Sequence, residues 1–385
     1  EKPLTSAERR LIIRGFVLLR SWADLIQQHP FLCHRPLALH FLEVIMSGIV
    51  LALISAAIFG FQNAAARRGV ITATPLQGMI VTVPTVLPLL AVISYCLGGF
   101  TAMHTWDHKT YILAGTAGVM HFVIGRFSNY HSMQALGSTL STPIQQLGTV
   151  ASLFCAVTIL GESLTGLNIF GIVLVSVGPA LLIAGRRRYT SSEVGTTFVP
   201  DLKRGILHGM VCVVGYGGSP ILIVLALQSA SGLVSGEKLV GTYLAGGAFA
   251  HSSAILLFSY IFASACVVMM GLNSNGFKSM SSMSREGLRW FLLSGFMIAV
   301  SQVFRYAALA LAPVSVVVPI QRLSVIFRLL FNWYLNRQYE RIEINIVIGI
   351  ILSVFGAAAL GVNTTAALNW LDPNPVIYSI LNWRV

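Results

Sequence analysis

The sequence predicts an all-α, polytopic membrane protein: ten transmembrane helices arranged as two inverted five-helix repeats, preceded by an amphipathic N-terminal helix. Three observations predict it. Of 385 residues, 55% are hydrophobic and only 10% charged, and mean hydropathy is +0.78, whereas a soluble surface needs about a quarter of its residues charged. The apolar residues fall in runs long enough to cross a bilayer, and a short polar motif inside one run recurs in another. The same composition excludes a disordered chain and a disulfide scaffold, since the five cysteines (Cys33, Cys96, Cys155, Cys212, Cys266) are spread widely with no CxxC pair. A net charge of +12 reads, in so apolar a chain, as basic flanks of membrane helices rather than a nucleic-acid surface.

A bilayer core about 30 Å thick requires roughly 20 apolar helical residues, because backbone groups in lipid must pair within the segment. That ruler places spans one to ten at 44–66, 76–98, 110–128, 133–158, 165–185, 205–227, 243–271, 287–309, 312–335 and 344–363. Before them, Thr5-Ser6-Ala7-Glu8 has capping-box spacing. Arg10, Arg14, Ser21, Asp24 and Gln28 then share one helical face, and Leu11, Ile12, Phe16, Leu19, Trp22 and Ile26 cover the other. Residues 1–40 therefore read as a tail with an interfacial amphipathic helix, the alternative being a cap packed on the bundle. The run from Arg186-Arg187-Arg188 to Lys203-Arg204 makes 186–204 a basic linker between two units, 44–185 and 205–363, and 364–385 is a C-terminal tail.

The two units are alike. Pro143-Ile144-Gln145-Gln146-Leu147 in span four recurs as Pro319-Ile320-Gln321-Arg322-Leu323 in span nine, 176 positions on. At the same offset Tyr130 meets Tyr306, and Ala135-Leu136 meets Leu311-Ala312. At an offset of 157, Phe59-Gly60 in span one meets Tyr216-Gly217 in span six, and Gly48 meets Gly205. Because each unit holds an odd number of spans, consecutive units cross the membrane in opposite senses. Such inverted pairs form a midplane site with two similar gates, the topology of alternating access.

Over residues 44–363 these motifs resemble the ten-helix carriers of the drug/metabolite transporter superfamily, with paired EamA-type repeats. The resemblance rests on Phe59-Gly60 and Tyr216-Gly217, the run Tyr130, Ala135, Ser138, Pro143, the signature Leu160-Gly161-Glu162, and the Gly171/Gly178 pattern. Phe59 stands where the family usually has tryptophan, and Asn336-Arg337 with Glu340 replaces Leu-Gly-Glu in the second unit. The resemblance implies a secondary carrier of a small metabolite, often an exporter, with a central cavity lined by helices one, three, four, six, eight and nine.

All 13 acidic residues lie outside the span centres, so no buried carboxylate is placed to carry protons. His121 in span three and His251 in span seven are the candidates for proton coupling. The cations say more: Arg322 lies near the centre of span nine, at a depth where a charge costs about 2.5–3.5 kcal/mol on insertion scales and marks a pathway. Arg305 in span eight lies on one stripe with Ser294 and Ser301. With Arg322, Arg305, Tyr306, Gln145, Gln146, Gln321, Ser301, Gln62, Asn63, Tyr216 and Ser219 as substrate-binding candidates, the site suits an anionic or zwitterionic solute, because guanidinium binds carboxylate or phosphate bidentately. Pro143, Pro319, Gly60, Gly217, Gly218 and Pro220 are candidate kinks or gates at matching places in both units. For Arg126 and Arg305 the competing reading is a side chain at a helix end that reaches the headgroups.

No GxxxxGK[ST], HExxH or GxSxG motif occurs, which argues against an ATP motor, a membrane protease or a hydrolase. The expectation is thus a non-enzymatic secondary-active or facilitative transporter without cofactor or metal, working as a monomer or homodimer. The alternatives are a nucleotide-sugar-type exchanger of the same superfamily and a non-transporting membrane scaffold or receptor. The expected site is a cell (inner) membrane. Basic residues after odd-numbered spans favour termini outside, those of the N-terminal tail favour the cytoplasm, and both orientations stay open.

Overall fold

The computed structural model describes residues 37–174, 177, 201–232, 247–335, 348, 351–352, 355–356, 359, 364 and 374–383, with side chains undescribed at 37–45, 138–140, 142–143 and 146. The expected tail helix, most of the basic linker, much of spans five and ten, and Asn336, Arg337 and Glu340 lie outside that set. Contacts divide the chain into Glu1–Glu43 and Val44–Val385. The first unit contributes only the helical residues 37–43 to the described set, and the second carries all the spans.

The described residues are mainly helical, with no strand among them. Six of their helices are long and apolar enough to cross a membrane: Met46–Thr72, Pro75–Cys96, Leu202–Ala230, Gly247–Asn273, Arg285–Leu311 and Val314–Leu335. These are spans one, two, six, seven, eight and nine. Span two is not one rod. Proline has no N–H to donate, and Pro84 opens a short 3₁₀ turn, Pro84–Val86, between helices Pro75–Thr82 and Leu87–Cys96.

Spans three and four differ from the sequence expectation, which ended span three at 128 and began span four at 133. Helix His108–Gly118 passes through a π-helical stretch, Val119–Gly125, into helix Arg126–Leu160 without a loop at 129–132. The polar run continues the helix because neighbours satisfy it. Gln145 Nε2 donates to Asn129 Oδ1 at 2.7 Å and Ser132 Oγ to the Gly205 carbonyl at 3.0 Å. The break comes at Gly137, with φ 79° and ψ 171°, a region open essentially to glycine alone.

Contacts with span six show what that break does. Before Gly137 the partners run in opposite order: His121 meets Ser219, Gly125 meets Gly215, and Ser132 meets Gly205. After it they rise together: Ile144 meets Gly209, and Ala151 meets Gly217. The chain therefore reverses at Gly137. Span one is held in the same way by spans eight and nine. It runs against span eight, Gly48 meeting Ala312, Ser55 meeting Ser301 and Gln62 meeting Ser294. It runs with span nine, Ser55 meeting Gln321 and Gly60 meeting Phe327.

The contacts thus repeat at the sequence offsets. A Cβ on Gly60 would come within 2.5 Å of Phe327 Cβ, and one on Gly217 within 3.0 Å of Ala151 Cβ. Gly48 packs on Ala312, and Gly205 on Leu136. Glycine at these positions lets two helix backbones approach. Beyond the spans, part of the expected C-terminal tail is a helix, Pro375–Asn382, after which the Trp383 carbonyl accepts from Gly166 N–H at 2.8 Å.

Candidate functional site: a cation-lined cavity

Spans one, three, six, eight and nine meet around a cavity lined by Ser55, Ala56, Phe59, His121, Tyr216, Pro220, Ser301, Gln302, Arg305, Val318, Gln321, Arg322 and Ser324. About 50 Å³ is open to the centre of a water-sized sphere, room for roughly three to five waters at about 10–15 Å³ each. Span four, which the resemblance adds to the lining, contributes no lining residue among those whose side chains are described, although Gly148 faces Arg322: a Cβ there would lie 2.9 Å from Arg322 Nη2.

The helices place these groups for identifiable reasons. His121 sits within the π-helical stretch, a local widening that often accompanies functional sites. Arg322 ends helix Val314–Arg322, and the break at Leu323, before helix Ser324–Leu335, falls four residues beyond Pro319, where the kink was expected. Ser301 and Arg305, four residues apart on span eight, point to one side. On that stripe Ser301 Oγ donates to the Ser55 carbonyl at 2.9 Å, and Gln321 Nε2 donates to Ser55 Oγ at 3.0 Å.

The centre is a cluster around His121. Ser219 Oγ lies 2.8 Å from its Nδ1, and Gln302 Nε2 lies 3.2 Å from its Nε2. Arg305 Nη1 lies 3.1 Å from each ring nitrogen and donates to Gln302 Oε1 at 3.2 Å, while Nη2 donates to Ser219 Oγ at 3.4 Å. Arg305 is 5% exposed, and its Nε is buried without an acceptor. The Arg322 side chain makes no hydrogen bond to the described residues, and none of the described lining residues is a carboxylate.

The buried arginines away from the cavity are bonded within the protein. Arg126 Nη2 donates to Tyr260 OH at 3.0 Å and Nη1 to the Thr82 carbonyl at 3.3 Å, with the guanidinium 5.1 Å from the Phe122 ring centre. It is 2% exposed, so it does not reach toward headgroups. Arg67 donates to the Met133 carbonyl, and Arg328 to Ser141 Oγ.

Of the sequence candidates, the structure gathers Ser301, Arg305, Gln321, Arg322, Tyr216, Pro220 and His121 on the cavity wall, with Ser219 behind His121. Others lie apart from the lining. Gln62 is bonded to Ser294, Asn63 Nδ2 donates to the Phe59 carbonyl, and Gln145 is bonded to Asn129. Tyr306 is fully buried in the core. His251 accepts from Trp106 Nε1 at 3.1 Å, away from the cavity. Gly60 and Gly217 are helix-packing positions, and Gly218 faces Met120. The side chains of Pro143 and Gln146 lie outside the described set. Sequence reasoning missed the lining residues Ala56, Gln302, Val318 and Ser324; the signal for Gln302 is its place one residue after Ser301 and three before Arg305.

Residues 46–184 match the EamA-like transporter family. The solved structures that match include a crystal structure with a TM-score of 0.53 at 12% identity, covering 85% of this chain and 99% of that chain, a likeness of fold alone. No curated protein matches significantly. The chain therefore carries an EamA-like transporter domain within an integral, multi-pass membrane protein, consistent with the drug/metabolite transporter superfamily.

Proposed function

We propose that the protein is a secondary-active or facilitative transporter of a small organic anion or zwitterion, working by alternating access between two inverted five-helix units. The observation that carries this reading is the pair Arg305 and Arg322 on one cavity with no carboxylate among its lining residues. A buried cation without counter-charge, as Arg305 is, is costly, and a carboxylate or phosphate would offer both guanidiniums bidentate acceptors.

Inversion is supported by helix direction. Span one runs against span eight, span eight against span three (His121 beside Arg305, Tyr130 beside Phe291), and span three against span six. Spans one and six, the first helices of the two units, then point opposite ways. A nucleotide-sugar exchanger fits less well, because ligands of that size need pockets of several hundred Å³.

The test is uptake of labelled small carboxylates and amino acids into proteoliposomes, comparing the wild type with Arg322→Ala. Loss of uptake in a folded variant supports the site. Uptake of every accepted solute at wild-type rate removes Arg322 from it.

A further inference from the structure

The contact between Arg305 and His121 constrains the protonation of the imidazole. Guanidinium only donates hydrogen bonds, whereas an imidazolium has two N–H groups and no lone pair. With Arg305 Nη1 at 3.1 Å from both ring nitrogens, at least one nitrogen must accept. Arg305 in this position and a protonated His121 therefore exclude each other.

Around His121 the charged groups are Arg126 on its own helix, Arg305 on span eight and Arg322 on span nine. Tyr216 on span six stacks at 4.7 Å between ring centres. Ser219 and Gln302 are neutral, and no carboxylate faces the ring among the described residues. An anion entering the cavity would bring what these neighbours lack: acceptors for both guanidiniums and a negative charge beside the imidazole.

We propose that Arg305 and His121 form a coupling pair in which a bound organic anion draws the guanidinium off the imidazole, and the freed imidazole takes up one proton that crosses with the anion. The proposal rests on the anion site argued above. The step balances simply. A hydronium from the open face gives its proton to a ring nitrogen of His121 and leaves as water; on the other face, when the anion departs and Arg305 returns, the N–H bond breaks and its proton passes to water as hydronium. Ser219 Oγ, beside both His121 Nδ1 and Arg305 Nη2, can donate to the neutral ring and accept from the protonated one. A monoanion then crosses without net charge.

The experiment measures proton uptake on anion binding to the purified full chain in weakly buffered solution with a pH indicator. The probes are methanesulfonate, pyruvate, L-lactate and succinate; methanesulfonate is too weak a base to hold a proton itself, so a proton taken up with it goes to the protein. The expected result is about one proton per anion bound, absent in His121→Gln. Should that variant fail to fold, imidazole ¹⁵N shifts of the wild type, with and without anion, report the same change from neutral ring to imidazolium. Binding without proton uptake, or uptake that persists in His121→Gln, overturns the coupling pair and leaves the anion site standing. Binding of none of the four probes overturns the anion site and the coupling with it.

Discussion

Glu162 caps the helix that starts at Val314: its Oε1 accepts from Val314 N–H and its Oε2 from Ser315 N–H, each at 2.8 Å. The geometry follows from the turn before it, where Leu160 ends the helix and Gly161, at φ 66°, redirects the chain. A carboxylate at a helix N-terminus satisfies free N–H groups and opposes the positive end of the helix dipole. The contact ties the end of span four to the start of span nine, the helix that carries Arg322.

Glu162→Ala should therefore lower stability by about 1–2 kcal/mol, the scale of a lost cap, seen as a lower thermal unfolding midpoint in detergent. Glu162→Gln keeps one acceptor oxygen and should fall between. Equal midpoints for all three proteins would deny the cap any weight.

The glycine contacts give a ranked pair. A Cβ at position 60 would meet Phe327 Cβ at 2.5 Å and the Arg328 backbone N at 2.7 Å, whereas at position 217 the nearest atoms are Ala151 Cβ at 3.0 Å and the Gly148 carbonyl oxygen at 3.1 Å. Gly60→Ala should cost about 1–3 kcal/mol, the range for overpacking, and Gly217→Ala less. Thermal unfolding of the two variants checks the order.

Arginines bonded within the protein and arginines on the cavity should separate experimentally. Arg126→Ala orphans the Thr82 carbonyl and Tyr260 OH and should destabilise by about 1–3 kcal/mol per buried group left unpaired. Arg322→Ala should leave the unfolding midpoint nearly unchanged while uptake is lost. Measuring both quantities on both variants tests the distinction, and the reverse pattern would contradict it.

Outside the spans, Asp107 caps helix His108–Gly118 through Thr110 N–H at 2.8 Å. The Thr110 hydroxyl, then its backbone N–H, hold the carboxyl below its usual range. A carboxylate so depressed stabilises the fold above its unfolded pKa, about 3.9, and loses that contribution as pH falls through the folded value. The midpoint difference between wild type and Asp107→Ala should stay constant above about pH 5 and shrink below pH 4. A pH series of unfolding curves reads it directly, with a small amplitude because the site is exposed.

Where the sequence was legible, the physics was local. Spans one, six, seven, eight and nine follow from apolar length, and Gly48, Gly60, Gly205 and Gly217, matched by offset alone, turn out to make matching contacts. The 129–132 run misled because polarity in a window looks like a loop. Asn129 and Ser132 are instead bonded across to Gln145 and Gly205, partners 16 and 73 residues away. The real signal was Gly137. The partners of His121 stay hidden in the sequence for the same reason, since Ser219, Gln302 and Arg305 come from other helices. Gln62 and Gln145 read in the sequence as substrate-binding candidates, whereas they are links to Ser294 and Asn129, because a sequence names a donor without naming its acceptor.

Alternating access is tested most directly by asking from which face the cavity can be reached. Phe59 lines it, and Phe59→Cys, in a background with the five native cysteines replaced, gives one reactive thiol there. In oriented proteoliposomes, a membrane-impermeant maleimide should label that thiol from either face in separate experiments, with an accepted anion slowing both reactions. Labelling from one face only, with or without anion, would contradict the account.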